Sequence, residues 1–505
     1  MAMTPSEVAV RLYRGTAEKL RGNRGARALR QMEEPGAFLV DAIDGGDVDA
    51  WLRAELSRSR FRLLRGAGDG ARLSEALSEI GVSAESVVEA ADAVLEGKIP
   101  AFGWTSIEAG PAPDWLVDPV SGEPWPLTYW TDLDFRSHEV LGDPRYVWEV
   151  NRKHHLVTLA RAYALTGESR YADRIWRDIA SWIDANPPLY GINWVSPLEL
   201  AVRLISWAMA IDIVGSDGAG EGVVGAVIAS VALQSAHLSA NLSIYASSRN
   251  NHLVGEATGL LVVGAKFPFL RSADALARRG VSVLQRELGA QVSADGVDRE
   301  QAFQYQTFVL EFAATGLAAA SCLRTRLSPG YRRTVAAMCS FVGAVAGPLG
   351  ATPPGIGDGD GGRAYQLSDR SGRQAIEAAV TASVGCGDAP PEAHEPSDLA
   401  PALWLYGVER AARSRALPGS AAVAEARDES PAFAEGGYFV PTGSEQHGVV
   451  DCGSLGYLSI AAHGHADCLS LVVCHAGQWV LVDPGTYCYH RDEAWRDYFR
   501  STGAH

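Results

Sequence analysis

Cysteine is scarce in this chain: seven in 505 residues, an odd number with no tight spacing. That excludes a disulfide scaffold and a thiolate zinc knuckle. Long hydrophobic runs are also missing. The N-terminal MAMTPSEVAVRLYRGTAEKLRGNRG holds no apolar stretch of signal-peptide length and no small-residue cleavage site after one. A cytoplasmic protein is therefore expected, or a periplasmic or secreted one if a precursor segment is missing. The most apolar stretches, such as FVLEFAATGLAAASC (308–322), are short, and Arg324 and Arg326 closely follow that one. They read as buried helices, and no membrane span is expected. Positive charge is in deficit, with 44 basic against 60 acidic residues and a net charge of −16. A general nucleic-acid binder leans the other way, so no nucleic-acid partner is expected.

What is present is an ordinary globular mixture, 47% hydrophobic and 21% charged, long enough for more than one domain. Residues 1–95 form an N-terminal helical segment, followed by a dense aromatic and Pro/Gly run over 97–147. From 148 to about 345 the period is 3.6 nearly everywhere, in pieces such as HHLVTLARAYALTG (154–167) and SPLELAVRLISWAMAID (196–212). Many carry apolar residues on more than one face, the pattern of a double-layered helical barrel or large bundle. The helical domain is placed at 96–385. DAPPEAHEPSDLAP (388–401) reads as a linker, with the change from helix to strand between about 375 and 410. From 430 short strands alternate with glycine turns. DCLSLVVC and QWVLVD form a hairpin joined by a three-residue HAG loop, with Cys474 opposite Gln478. Residues 386–505 are thus a linker and the first part of an antiparallel β domain, whose raw edge suggests a longer protein.

The sharpest local feature is His463-Gly464-His465-Ala466-Asp467. On an extended strand both imidazoles and the carboxylate share one face, a metal or acid/base arrangement as readily as a structural pair. Asp483 falls on the same face by parity. A straight ladder leaves it about 13 Å from His465 at ~3.3 Å per residue, so shared ligation needs the chain to bend or leave the ladder. In the helical region Asn250-Asn251-His252 precedes an apolar helix with Glu256 one turn on, where an asparagine is most often a cap. Asn151, Arg152 and Asn193 lie beside helix starts. Gly357-Asp358-Gly359-Asp360-Gly361-Gly362-Arg363 has neither calcium-loop spacing nor a Walker lysine.

Read together, these pieces resemble the heparinase II/III superfamily of polysaccharide lyases. The resemblance spans roughly 97–505. It rests on YVWEVNRKHHLVTLARAYALTGE (146–168), NWVSPLELAVRLISW (193–207), NNHLVGEATGL (250–260), DGVDREQAFQYQ (295–306), IGDGDGGR (356–363), HGHAD (463–467), VDPGTYCYH (482–490) and YFRSTGAH (498–505). It implies a multidomain α+β protein, an incomplete (α/α) toroid followed by an antiparallel β-sandwich domain, with the active-site cleft between them. Asn251 and His252 match the pair that neutralises a uronate carboxylate. Tyr305 matches the family tyrosine, although QAFQYQ replaces the Ser-Pro-x-Tyr-His of many relatives. His463 matches the catalytic histidine of the β domain, and His465, Asp483 and His505 match a zinc-binding trio. Tyr487 or Tyr489 matches an auxiliary tyrosine.

The reaction so implied is β-elimination across a glycosidic bond to a uronic acid, with Tyr305 and His463 as acid and base in either order. A tyrosine base needs its pKa lowered by nearby positive charge. Asn251, His252, Tyr305 and His463 are expected to converge on one cleft. Arg152, Arg203 and Arg363, with Asn151, Asn193, Glu256 and the two tyrosines, are candidate contacts to an acidic polysaccharide or oligosaccharide. Zinc would be structural, and a homodimer is left open. The rivals are a noncatalytic glycan-binding protein on the same scaffold and a glycoside hydrolase using Glu256 and Asp467.

Overall fold

The computed structural model describes residues 31–32, 34–39, 47–135, 142–245, 248–323, 325–347, 355–417, 430–443, 445–489 and 492–505. The chain divides into two compact units. One comprises residues 1–62, 89–100 and 106–280, the other 63–88, 101–105 and 281–505. The helices run α1 (Val48–Arg58), α2 (Gly70–Glu79), α3 (Ala84–Glu96), α4 (Pro144–Asn151), α5 (His154–Thr166), α6 (Ser169–Ala185), α7 (Pro197–Val214), α8 (Val223–Ala240), α9 (Asn251–Lys266) and α10 (Ala273–Gln291). They continue through α11 (Phe303–Ser321), α12 (Pro329–Ala346), α13 (Gln374–Cys386), α14 (Ala400–Tyr406), α15 (Val408–Arg415) and α16 (Glu493–Arg500). Two short strands, β1 (Lys98–Ala101) and β2 (Thr105–Glu108), precede α4.

In the first unit the core is centred on α7. Ser196 caps its start by accepting from the Glu199 amide, and Pro197 fits the first turn, where no amide partner is needed. Every residue from Leu198 to Val214 is buried, as expected of a helix apolar on all sides. Gly259 of α9 is required by packing. A Cβ there would lie 2.8 Å from that of Ala201, so the α7 and α9 backbones touch through it. Among the described residues α8 is the one helix long and apolar enough to cross a membrane, yet 67% of it is buried within the protein, which fits a core helix.

The second unit packs helices against a sheet. The hydroxyls of Tyr331 on α12 and Tyr406 on α14 donate to the carbonyls of Ala313 and Ala314 on α11. Phe341 of α12 packs edge-on against Phe433, with ring centres 4.9 Å apart. Helices persist to Arg415, so the change to strand comes later than the 375–410 expected. The presumed linker contains a 3-10 turn at Pro396–Leu399, closed reciprocally by Glu395 and Asp398. Pro396 and Pro401 stand in the first turns of helical segments and do not mark a break.

The sheet is an antiparallel meander of β3 (Ala432–Phe433), β4 (Tyr438–Phe439), β5 (Gln446–Asp451), β6 (Leu471–His475) and β7 (Gln478–Leu481), in that order. The last hairpin is tighter than expected. His475 pairs with Gln478 and Cys474 with Trp479, so the loop is the two residues Ala476 and Gly477, both at positive φ (47° and 80°). That is the turn whose twist matches the strands. A register shift between Val473 and Cys474 then offsets the earlier part of the ladder.

A buried ion pair joins α9 to α7 in the first unit. Lys266 Nζ lies 2.8 Å from Asp212 Oδ1 with both side chains fully buried, and it also donates to the Ser59 carbonyl at 2.7 Å. Asp212→Asn strands the ammonium in the interior, and we expect a loss of about 3–5 kcal/mol in denaturant unfolding.

Candidate active site

Tyr305 stands on the first turn of α11. The turn is set by Gln301 at φ 55° and by the Phe303 amide, which donates to the Ile356 carbonyl at 2.9 Å. That bond brings the 356–363 loop onto the helix start. The approach is so close that a Cβ on Gly357 would meet the Gln301 carbonyl oxygen at 2.5 Å, and Gly357 is itself at φ +68°. Asp358 follows, buried, and its amide donates to the His463 carbonyl at 2.9 Å. HGHAD is not in a strand, contrary to expectation, since β6 begins only at Leu471. A Cβ on Gly464 would sit 1.7 Å from the Leu455 carbonyl oxygen, so only glycine permits this course.

These turns bring together side chains from four segments that the sequence leaves far apart. The Tyr305 and His463 rings stack, with centres 3.7 Å apart and planes at 16°. The Tyr305 hydroxyl is 3.1 Å from that of Tyr489, which is 2.8 Å from His463 Nδ1. Carboxylates flank the imidazole, Asp358 Oδ2 at 3.2 Å from Nδ1 and Glu300 Oε2 at 3.4 Å from Nε2. Arg496 of α16 grips both oxygens of Asp358 and lies over the Tyr489 ring at 4.2 Å.

Electrostatics act in opposite directions on Tyr305 and Asp358. Burial, then Asp360, Tyr489 and Asp358, push the Tyr305 hydroxyl well above its ordinary value of 10.0. Tyr489 is raised in the same way, by burial first and then Asp358 and Asp360, with Arg496 opposing. Acidic groups lead the charges acting on Tyr305, and with burial they favour the protonated phenol. Asp358 behaves oppositely: burial alone would raise it, but hydrogen bonds from His463, His465 and Arg496 hold it well below the usual carboxylate range.

A second cluster adjoins the first. One ligand atom from each of His465, Asp483 and His505 lies within 4.8 Å of the others. His465 is off the ladder, which removes the 13 Å separation a straight strand imposes. His505 is carried in by α16 and the turn after it: the Ala466 amide donates to the Arg500 carbonyl at 2.9 Å, and Thr502 Oγ1 donates to the Ala466 carbonyl at 2.9 Å. His505 Nδ1 is 2.9 Å from Asp483 Oδ2, and His465 Nε2 is 2.9 Å from Asp358 Oδ1. His465 Nδ1 and His505 Nε2 are buried with no hydrogen-bond partner among the described residues. Two such nitrogens beside a carboxylate are a donor set that suits zinc. Burial, with Asp467 and Asp483 nearby, pushes the Asp451 carboxyl up to about 7, a crowding of acids that a cation would relieve.

The remaining candidates are distributed differently. Asn251 and His252 lie in the first unit, on the first turn of α9, which Asn250 caps by accepting from the His252 amide at 3.2 Å. Tyr305 and His463 lie in the second. Five expected substrate contacts in the first unit prove internal. Asn151 donates to the carbonyls of Trp115 and Val147 and accepts from Trp182 Nε1. Arg152 is buried between Glu199 and Glu149. Asn193 donates to Asn186 and to the Trp115 carbonyl. Arg203 is fully buried on Gln234 and the Asn193 carbonyl. Glu256 is fully buried and accepts from the Ser243 amide and hydroxyl, which also removes it as a hydrolase carboxyl facing substrate. In the second unit Arg363 is buried against the Gly103 carbonyl. Tyr487 is 66% exposed and stacks on Phe499, so Tyr489 is the tyrosine of this site. Sequence reading missed Asp358, Glu300 and Arg496. GDGDGGR was a visible signal for the first, but nothing marked the others.

Comparison with known proteins gives the family of the chain. A profile described as "Heparinase II/III N-terminus" matches residues 59–373, and one described as "Heparinase II/III-like, C-terminal" matches 425–505. A heparin-sulfate lyase of Bacteroides stercoris is 24% identical over 245 residues, 44% of this chain and 36% of that protein. One from Pedobacter heparinus is 26% identical over 235 residues, 45% and 34% respectively. The chain thus matches about a third of the length of these curated relatives. Among solved structures, a heparan sulfate lyase from Pedobacter heparinus is similar over 90% of this chain and 63% of its own, with 20% identity and a TM-score of 0.51. A heparinase III structure covers 84% and 62%, with 14% identity and a TM-score of 0.57. At such identities the likeness is one of fold, the toroid helices and antiparallel β region expected from the sequence.

Glu256 gives a test of the interior. Burial pushes its carboxyl from 4.5 up to about 8, against the hydrogen bonds from Ser243. A raised folded-state pKa contributes stability that is full below 4.5 and lost as pH rises through about 8. In melting curves across that window, wild type should therefore lose stability relative to Glu256→Gln as pH rises.

Proposed function

Because this chain belongs to the heparinase II/III family, we propose that it is a polysaccharide lyase, a carbon–oxygen lyase cleaving a uronic-acid-containing glycan by β-elimination. The observation that carries this reading is the stack of a proton-bearing tyrosine on an imidazole flanked by carboxylates. Elimination needs a group to take the C5 proton and another to protonate the departing O4. Tyr305 keeps its proton and is the donor to O4. His463 takes the proton from C5, and the imidazolium so formed faces a carboxylate at each nitrogen, Asp358 and Glu300. Asn251 and His252 are assigned to the uronate carboxylate, whose neutralisation makes the C5 proton acidic.

Zinc fits His465, Asp483 and His505, where it would supply positive charge that holds three separated segments together. The substrate class is an acidic polysaccharide, with heparan-type chains first among those to try because the named relatives are heparin-sulfate lyases.

Incubation with a panel of uronate polymers, followed by ultraviolet absorbance of the new C4–C5 double bond, tests the reaction. Tyr305→Phe should lower kcat by roughly 10²–10⁴-fold with an unchanged melting temperature. Wild-type turnover in that variant removes Tyr305 from the mechanism. Elemental analysis should find one zinc per chain, and chelation should lower the melting temperature. Protein purified without stoichiometric zinc, and indifferent to added zinc, ends the metal assignment.

A further inference from the structure

The GDGDGGR loop enters the reading above only as a counter-charge to His463, yet it places one carboxylate between the two histidines of HGHAD. Asp358 Oδ1 lies 2.9 Å from His465 Nε2 and Oδ2 lies 3.2 Å from His463 Nδ1. The remaining capacity of the carboxylate is filled by Thr486 Oγ1 at 3.1 Å and by both terminal nitrogens of Arg496. The group is fully buried, and the loop bearing it is tied at the backbone to the same histidine segment through the Asp358 amide and the His463 carbonyl. We propose that Asp358 is a positioning residue that couples the zinc cluster to His463, so that occupancy of the metal site fixes the orientation of the proton-transferring imidazole.

The two imidazoles share one constraint. A histidine that ligates a metal through one nitrogen is oriented by the acceptor at its other nitrogen, and removing such an acceptor costs roughly 10–100-fold in metal affinity. Here that acceptor is one oxygen of a rigid carboxylate whose other oxygen holds His463. Neither imidazole can turn about its bond to Asp358 without moving the plate that aligns the other. Arg496 fixes the plane of the plate from α16, the helix that leads to His505. The zinc ligands therefore close on Asp358 from two directions, directly through His465 and indirectly through the helix bearing Arg496.

This inference rests on the lyase reading for the role of His463, but its test needs no substrate. Full-length protein with isotope-labelled histidine is titrated with zinc alone while the ring-nitrogen signals of His463 and His465 are followed by NMR. In wild type both residues should respond to zinc together. In Asp358→Asn the chelator-competition affinity for zinc should fall roughly 10–100-fold, and the His463 response should vanish even at saturating zinc. A merely structural carboxylate would lower the melting temperature of the variant but leave the zinc response of His463 intact, and that result overturns the proposal. So does unchanged zinc affinity, or a wild-type His463 that ignores bound zinc. If Asp358→Asn does not fold, Arg496→Gln decides. It leaves Asp358 in place but unclamped, and it should weaken zinc binding and reduce the His463 response, whereas wild-type behaviour in both overturns the coupling. Wild type that releases no unsaturated product from any polymer strikes the lyase reading, while the coupling of zinc to His463 is still read by its own measurement.

Discussion

A carboxylate withdrawn from water costs several kcal/mol unless donors fill its oxygens, and Asp358 meets that condition with two imidazoles, a hydroxyl and a guanidinium. Much of the local architecture serves this one arrangement. Gly357 lets the loop reach the α11 turn, and Gly464 lets the histidine segment pass under Leu455. α16 exposes most of its surface yet directs Arg496 inward, where its side chain is 13% exposed. Tyr489 is then held between the guanidinium and His463, and it meets the Tyr305 hydroxyl from there.

The first unit solves its charge problem separately. Arg152 is enclosed by Glu149 and Glu199, Arg174 by Asp178, and Lys266 by Asp212. Among the described residues, Arg203 is in hydrogen-bond contact with Gln234 and the Asn193 carbonyl and with no carboxylate. It lies 4.3 Å over the Trp182 ring, and burial, only partly offset by Glu199, lowers its pKa to about 9. These side chains give the helices fixed registers at the cost of desolvation. Internal ion pairs of this kind hold position more than they add stability.

How much of this was legible follows from what each signal measures. Helix period and caps depend on neighbours within four residues, so α5, α7, α9 and α11 could be read directly. So could the late strands, although the loop at Ala476-Gly477 was overestimated by one residue because the bulge at Val473 lies outside local pattern. The prolines at 390, 391, 396 and 401 looked like a linker because composition does not distinguish a proline that starts a turn from one that ends order. The site divides along the same line. His463, His465, Asp483, His505 and Tyr305 were visible through motif order, whereas Arg152 and Arg203 were misassigned because an arginine awaiting a substrate and one buried on a glutamate or an amide have the same letter. Glu300 and Arg496 could not have been found, since their meaning arises only from contacts across more than 100 positions of chain.

That long reach bears on how the protein is made. Tyr305 lies 200 positions before His505, so at ~5–20 residues per second a ribosome needs roughly 10–40 s between them. Within that interval Asp358 waits 105 positions for His463 and 138 for Arg496, and until then its carboxylate must remain hydrated. The α11 turn and the glycine loop can form early from their own contacts, but the buried arrangement around Asp358 cannot close until the segments carrying His463, His465 and Arg496 have been made.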